Sequence, residues 1–153
     1  MQAADATSHT ASGIDVLFFC NPLLDISVDD PDATYLTKYK LFPGQACLAN
    51  DEQKPLFDEI FHKEGRLLIP GGSALNSARA CGWSFLKQTP GKGVVGYMGC
   101  IGKDERGQAL ADAVKESGVK ANFQVDEQTE TGACAVVVHG KERALCAFLG
   151  ASC

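Results

Sequence analysis

Apolar residues along this chain fall into short runs separated by polar or glycine- and proline-containing breaks, and the spacing within each run predicts an element. Val16-Leu17-Phe18-Phe19-Cys20 is continuously apolar. At strand length such a run reads as a strand buried on both faces, the pattern of a parallel sheet, and predicts a first core strand over 14–20. Leu56, Phe57, Ile60 and Phe61 recur at i, i+1, i+4 and i+5, the stripe of an amphipathic helix started by Asn50 or Asp51, with Pro55 tolerated near its first turn. Leu67-Leu68-Ile69 is strand-like and leads into a helix from Ser73 to about Leu86, with Leu75, Ala78, Gly82, Phe85 and Leu86 on one face. Thr89 to Gly93 reads as a turn, and Val94–Cys100 as a second core strand. Asp104 caps a helix whose Leu110, Ala113 and Val114 point inward and which Gly118 ends, and Val119–Val125 is a further short strand. Ala133–Val138 and Ala144–Leu149 flank the polar turn at His139 to Glu142 and read as a hairpin. Residues 26–50 carry short β-like pieces such as Gln45–Ala49 between turns at Asp29-Asp30-Pro31 and Phe42-Pro43-Gly44. Strands alternating with helices place the chain in the α/β class.

Composition narrows this picture. The 153 residues, 45% hydrophobic, are enough for a full single-domain core. A net charge of −5 without any basic run offers nothing to nucleic acid or to an anionic membrane surface. No apolar stretch approaches the roughly 20 residues of a membrane span. Residues 1–13 are small and polar, lack the layout of a signal peptide, and read as a disordered lead-in. The 7 cysteines are scattered through apolar segments without C-x-x-C or Cys/His spacing, so neither a zinc site nor a disulfide framework is supported. These features point to a cytoplasmic monomer, with the nucleus an open alternative.

Two segments carry candidate chemistry. Gly71-Gly72-Ser73-Ala74-Leu75-Asn76 joins a strand to a helix. The glycines allow close backbone approach, Ser73 is a natural N-cap, and Asn76 lies one turn in; free N–H groups there suit a polyhydroxylated or anionic ligand. Asn21-Pro22-Leu23-Leu24-Asp25 follows the first core strand, where open α/β sheets bind ligands outside the carboxyl ends of their strands. Taken singly, each also reads as a plain turn: a capped Gly-Gly turn, and an Asx-Pro turn leaving a strand.

Together with Leu48-Ala49, Gly99-Cys100-Ile101-Gly102-Lys103-Asp104 with Gly107, Thr131 to Ala135 and Arg143 to Ala147, these segments resemble the PfkB (ribokinase-like) family of sugar and nucleoside kinases. The pieces run in family order over residues 14–152, and the Asn-Pro-Leu-Leu-Asp form favours a nucleoside over a sugar acceptor. The resemblance implies a three-layer α/β/α domain with a small β-sheet lid. Core segments would lie near 14–21 and 71–130, and lid segments near 22–70 and 131–149. It implies transfer of the γ-phosphoryl group of ATP, with Mg2+, to the 5′-hydroxyl of adenosine, giving AMP for purine salvage. It also implies that the segment bearing the catalytic aspartate lies beyond Cys153. The chain would then be the N-terminal portion of a kinase, inactive alone, with no catalytic residue and no metal ligand of its own.

By the same resemblance Asp25 takes the ribose diol, as an acceptor-only carboxylate can, with Asn21, Gly72, Ser73 and Asn76 beside it. Leu23, Leu48, Cys134, Leu145 and Ala147 line the base pocket, and Arg143 reaches the phosphates. Asp25 as a solvated turn residue, and Arg143 as a surface residue beside Glu142, remain open alternatives. One departure stands out: where some relatives place a glutamine two positions before the leucine matching Leu48, this chain has Ala46, with Gln45 one residue earlier, so neither is assigned to the site. There is no dinucleotide fingerprint and no Walker A loop, since Gly91-Lys92-Gly93 lacks the spacing and the following hydroxyl residue. His9, His62 and His139 are not placed for catalysis. A sugar kinase of the same family, or a non-catalytic nucleoside-binding module, are the competing readings.

Overall fold

In the computed structural model, residues 13–88 and 93–152 are described; the lead-in over 1–12 with His9, most of the turn expected at 89–93, and Cys153 lie outside them, as does the Leu86 side chain. The strands form two sheets. The first is parallel, with β5 (Val95–Gly102) between β1 (Val16–Phe19) and β6 (Lys120–Asp126). The second has five strands in the order β3 (Ala46–Leu48), β8 (Glu142–Phe148), β7 (Ala133–His139), β2 (Leu23–Asp29), β4 (Leu67–Gly71). It is mixed, with β7–β8 the antiparallel hairpin expected and β2 lying parallel to β7.

Alternation decides what each face of the five-stranded sheet does. In β2 the side chains of Leu24, Ile26 and Val28 are buried, whereas Leu23, Asp25 and Ser27 face the other way. Ala133, Ala135, Val137, Ala144 and Cys146 of the hairpin join the buried set. Two helices cover this face, α2 (Lys54–Phe61) through Leu56, Phe57 and Ile60, and α4 (Glu105–Glu116) through Leu110 and Val114. Each such large side chain, fully buried, contributes roughly 1.5–3 kcal/mol, so a one-residue slip of β2, which would turn Asp25 inward, is strongly disfavoured.

α3 (Ser73–Gln88) packs Leu75 and Ala78 on β1 and β5, whose other face leaves Leu17, Phe19 and Met98 exposed, so among the described residues helices cover only one face of that sheet. The sequence pattern did not resolve β2 as a seven-residue strand or the short 3-10 turn at Gly150–Ser152. It also missed α1 (Thr34–Lys38), a single turn whose start is held by the buried Asp30 carboxylate, which accepts from the Thr34 and Leu36 N–H groups. Two expected starts also move. α2 begins at Lys54, because Asn50 and Gln53 first close a turn by exchanging side-chain to backbone hydrogen bonds in both directions. Ser73 is the first helical residue of α3 rather than its cap, because Asn76 N–H already bonds to the Gly72 carbonyl.

Candidate functional site

The open face of the five-stranded sheet collects most of the residues singled out above. Ile69, Asp25, Cys134, Ala147 and Leu48 are successive partners across all five strands and form one row. Leu67, Ser27, Val136, Leu145 and Ala46 form the next row. Leu23 precedes Asp25 on the same face. The structure thus brings Leu23, Asp25, Cys134, Leu145, Ala147 and Leu48 onto a single surface. It is a mainly apolar floor with the Asp25 carboxylate near one edge and the exposed Asp29 further along β2, in the row of Val138 and Arg143, and Leu48 at the far strand is 68% exposed. Ala46 shares this face but offers only a methyl group to a ligand.

Asp25 is half-buried, and two glycines make room for it. A β-carbon at position 71 would lie 2.4 Å from both carboxylate oxygens. Gly72 has φ 95, and a β-carbon there would meet the Asn21 carbonyl oxygen at 2.5 Å. The Gly71-Gly72 pair therefore closes tightly over both Asn21 and Asp25, joining the first strand's exit to the start of α3. Tyr97 pins that exit from beneath by donating its hydroxyl to the Cys20 carbonyl at 2.8 Å. Burial, with the nearby Cys20, pushes the Tyr97 hydroxyl up to about 12, so it stays a neutral donor.

Electrostatics at the cleft follow from this geometry. Burial lifts the Asp25 carboxyl above its ordinary value, and the positive charge of Arg79 pulls it back down. Cys134, its partner on β7, is pushed up to about 12 by burial and then by the Asp25 charge, so it presents a neutral thiol to the apolar floor. Arg79 was not among the residues expected here. It lies three residues after Asn76 on α3, the spacing that puts two side chains on one helix face, and that spacing was the available signal. Its Nη1 donates to the Pro70 carbonyl at 2.8 Å and to Asn76 Oδ1 at 3.3 Å.

Asn76 and Ser73 are exposed on the first turn of α3, with the Ser73 carbonyl accepting from Ser77 Oγ. Arg143 lies on the same sheet face as Asp25 but away from it. It pairs with Val138, four residues along from the Asp25 row, or roughly 13 Å at strand rise. Arg143 is exposed and adjoins the exposed Glu142 at the start of β8, so its reading as a surface residue beside Glu142 stays open. Among the described residues no group of three or more His, Cys, Asp or Glu side chains could hold a metal ion.

Below the cleft a second polar cluster ties the two sheets together. Asp104 caps α4 by accepting from Gly107 N–H at 2.7 Å, and also accepts from the Thr131 N–H and hydroxyl at 2.7 and 2.6 Å. Thr131 is fully buried and sits in the segment that leads from β6 to β7. Buried Arg106 reaches Glu130 at 2.9 Å beside it. The expected strand end, glycine turn and helix cap at Gly99 to Asp104 are all present, and their role is structural.

A surface with these features, on this pair of sheets, has relatives. The model of the pfkB family carbohydrate kinases matches residues 47–152, and the chain belongs to that family. It is 44% identical over 142 residues to the adenosine kinase of Dictyostelium discoideum, covering 92% of this chain and 40% of that one. Among solved structures, Trypanosoma brucei brucei adenosine kinase superimposes with a TM-score of 0.81 at 40% identity, covering 91% of this chain and 41% of that one. Schistosoma mansoni adenosine kinase in complex with adenosine gives 0.73 at 34% identity, covering 90% and 38%. The chain thus spans about two fifths of the length of these relatives.

Proposed function

We propose that the gene product carrying this chain is an adenosine kinase, transferring the γ-phosphoryl group of ATP to the adenosine 5′-hydroxyl to give AMP in purine salvage. The observation that carries the reading is the position of Asp25, a half-buried carboxylate near the edge of a mainly apolar sheet face. A ribose diol donates two hydroxyls to such an acceptor, while a flat base rests on Leu23, Cys134, Leu145, Ala147 and Leu48. The likeness to adenosine kinases, one of them holding adenosine, supports this choice of ligand. A sugar acceptor would need a small polar pocket, and the open face supplies mainly apolar groups.

In this reading Asn21, Gly72, Ser73 and Asn76 close around the ribose, and the five-stranded sheet acts as a lid that excludes water from the reacting centre. Arg143 supplies a guanidinium for the phosphates. Phosphoryl transfer relies on positioning and charge neutralisation. Mg2+ is assigned to the ATP co-substrate, neutralising phosphate charge. No aspartate of this chain is assigned as catalytic base, so residues 1–153 by themselves are expected to show no turnover. We assign the protein to the cytoplasm, as a monomer. A substrate panel on the complete gene product tests the reading: adenosine is expected to be phosphorylated well ahead of ribose, fructose and other free sugars. Preference for a free sugar overturns it.

A further inference from the structure

We propose that Arg79 is the positioning residue of this cleft. Anchored on the Pro70 carbonyl, it holds the Asn76 amide by its oxygen, so that a ligand hydroxyl meets the Asn76 NH2 as donor and the Asp25 carboxylate as acceptor. The inference rests on the nucleoside-kinase reading and adds a residue and an orientation to it.

The orientation follows from hydrogen-bond chemistry. A guanidinium has only donors, so the atom of Asn76 that lies 3.3 Å from Arg79 Nη1 must be the amide oxygen. Among the described residues the NH2 of that amide has no protein partner in the hydrogen-bond network around it. Meanwhile the same Nη1 is held at 2.8 Å by the carbonyl that ends one residue before Gly71, the residue packed on Asp25. Arg79 therefore couples three neighbours of the ligand: the Gly71 approach, the Asn76 amide and the Asp25 charge. Its placement carries a cost, because Arg79 Nε is buried without a hydrogen-bond partner. A residue kept for packing alone would gain by dropping that group.

Charge adds to geometry. Of the groups facing Asp25, Cys134 on β7 is a neutral thiol that itself feels the Asp25 charge, and among the described residues Arg79 on α3 is the cation holding the carboxyl down against burial. Without it the carboxyl titrates at higher pH, and ligand binding that needs the ionised form loses its acid limb earlier.

The test compares wild type, Arg79→Lys and Arg79→Met in the complete gene product. Adenosine affinity without ATP is measured by calorimetry across pH, the Asp25 carboxyl is titrated by carbon-13 NMR, and thermal unfolding is recorded alongside. Arg79→Met is expected to bind adenosine about tenfold more weakly, the size of one lost charge-assisted bond, with both the Asp25 titration and the acid limb moved to higher pH. Arg79→Lys should keep the titration near that of wild type yet still bind more weakly, because the shorter lysine does not place a donor where Nη1 bridges the Pro70 carbonyl and Asn76 Oδ1. In both, KM for adenosine should rise more than kcat falls. An unshifted Asp25 titration with unchanged affinity in folded Arg79→Met overturns the proposal, as does weakened binding that simply tracks lost thermal stability in both variants. If wild type itself fails to bind adenosine, the nucleoside reading falls and this inference falls with it.

Discussion

The carboxylate of Asp25 rests on the backbone of Gly71, where a β-carbon would lie 2.4 Å from each of its oxygens. The next residue, Gly72, faces a backbone carbonyl instead, that of Asn21, from a φ of 95. The two glycines therefore predict different failures. Gly71→Ala must displace a side chain, so adenosine affinity should fall about tenfold or more, as loss of a charge-assisted bond requires, while the fold survives. Gly72→Ala meets rigid backbone in a left-handed conformation and should lose about 1–3 kcal/mol of stability. Paired denaturation and calorimetry on the two variants check this. Equal behaviour of both would contradict it.

Asp25→Asn separates binding from folding. Because the folded carboxyl sits above its ordinary value of 3.8, its stabilising contribution is complete below that value and is lost as pH rises through the folded one. At neutral pH the charge is thus held at a cost to the fold. Removing it should raise the melting temperature at pH 7, narrow the difference from wild type as pH is lowered, and weaken adenosine binding about tenfold or more. A variant less stable than wild type at neutral pH would show that the charge is structurally compensated.

Much of the fold was legible in the chain because period-two and helical stripes report burial directly. The apolar alternation of the hairpin and the stripe of Leu56, Phe57, Ile60 and Phe61 gave elements close to those observed. α1 escaped because five residues carry no period, and its start depends on a buried carboxylate four residues before Thr34 that reads in sequence as part of a turn. The candidate site shows the same division. That Leu23, Asp25, Cys134, Leu145, Ala147 and Leu48 share one face follows from strand order and register, which no single strand encodes. Arg79 was legible only through its i+3 spacing from Asn76 on α3, because its other partner, Pro70, reaches it only once β4 and α3 are packed.

Asp104 should make the fold sensitive to acid. Burial alone would raise its carboxyl, but hydrogen bonds from Thr131 and from Gly107 N–H, with the Arg106 charge, outweigh that and hold it below 3.8. Its contribution is therefore present above that value and lost as pH falls through the folded one. Asp104→Ala should cost about 2–4 kcal/mol at pH 7, combining a lost cap with lost charge-assisted bonds. The difference from wild type should shrink in acid below pH 3.8. Thr131→Val, which strands the Gly102 N–H and removes one of the two donors to Asp104 Oδ1, should be destabilising too. Urea titrations at several pH values provide the check, and a pH-independent difference would contradict the assignment.

Arg143 should separate the two substrates. Lysine keeps the charge but not the planar two-point geometry, so Arg143→Lys is expected to lower turnover and weaken ATP dependence. Adenosine binding without ATP should stay near wild type, since the Asp25 row lies four residues along the sheet from it. Steady-state kinetics with calorimetry decide the point. Unchanged kinetics in both Arg143→Lys and Arg143→Ala would remove the residue from the site.

The most direct measurement is chromatographic detection of AMP from adenosine and MgATP by the complete gene product, run beside its Asp25→Ala variant. Wild type is expected to form AMP with turnover. Asp25→Ala is expected to lose about 2–4 kcal/mol in kcat/KM, two charge-assisted bonds partly replaced by water. Its melting temperature should not fall. No AMP from wild type, or equal catalytic efficiency in the two proteins, would contradict the assignment of this sheet face as the adenosine site of a kinase.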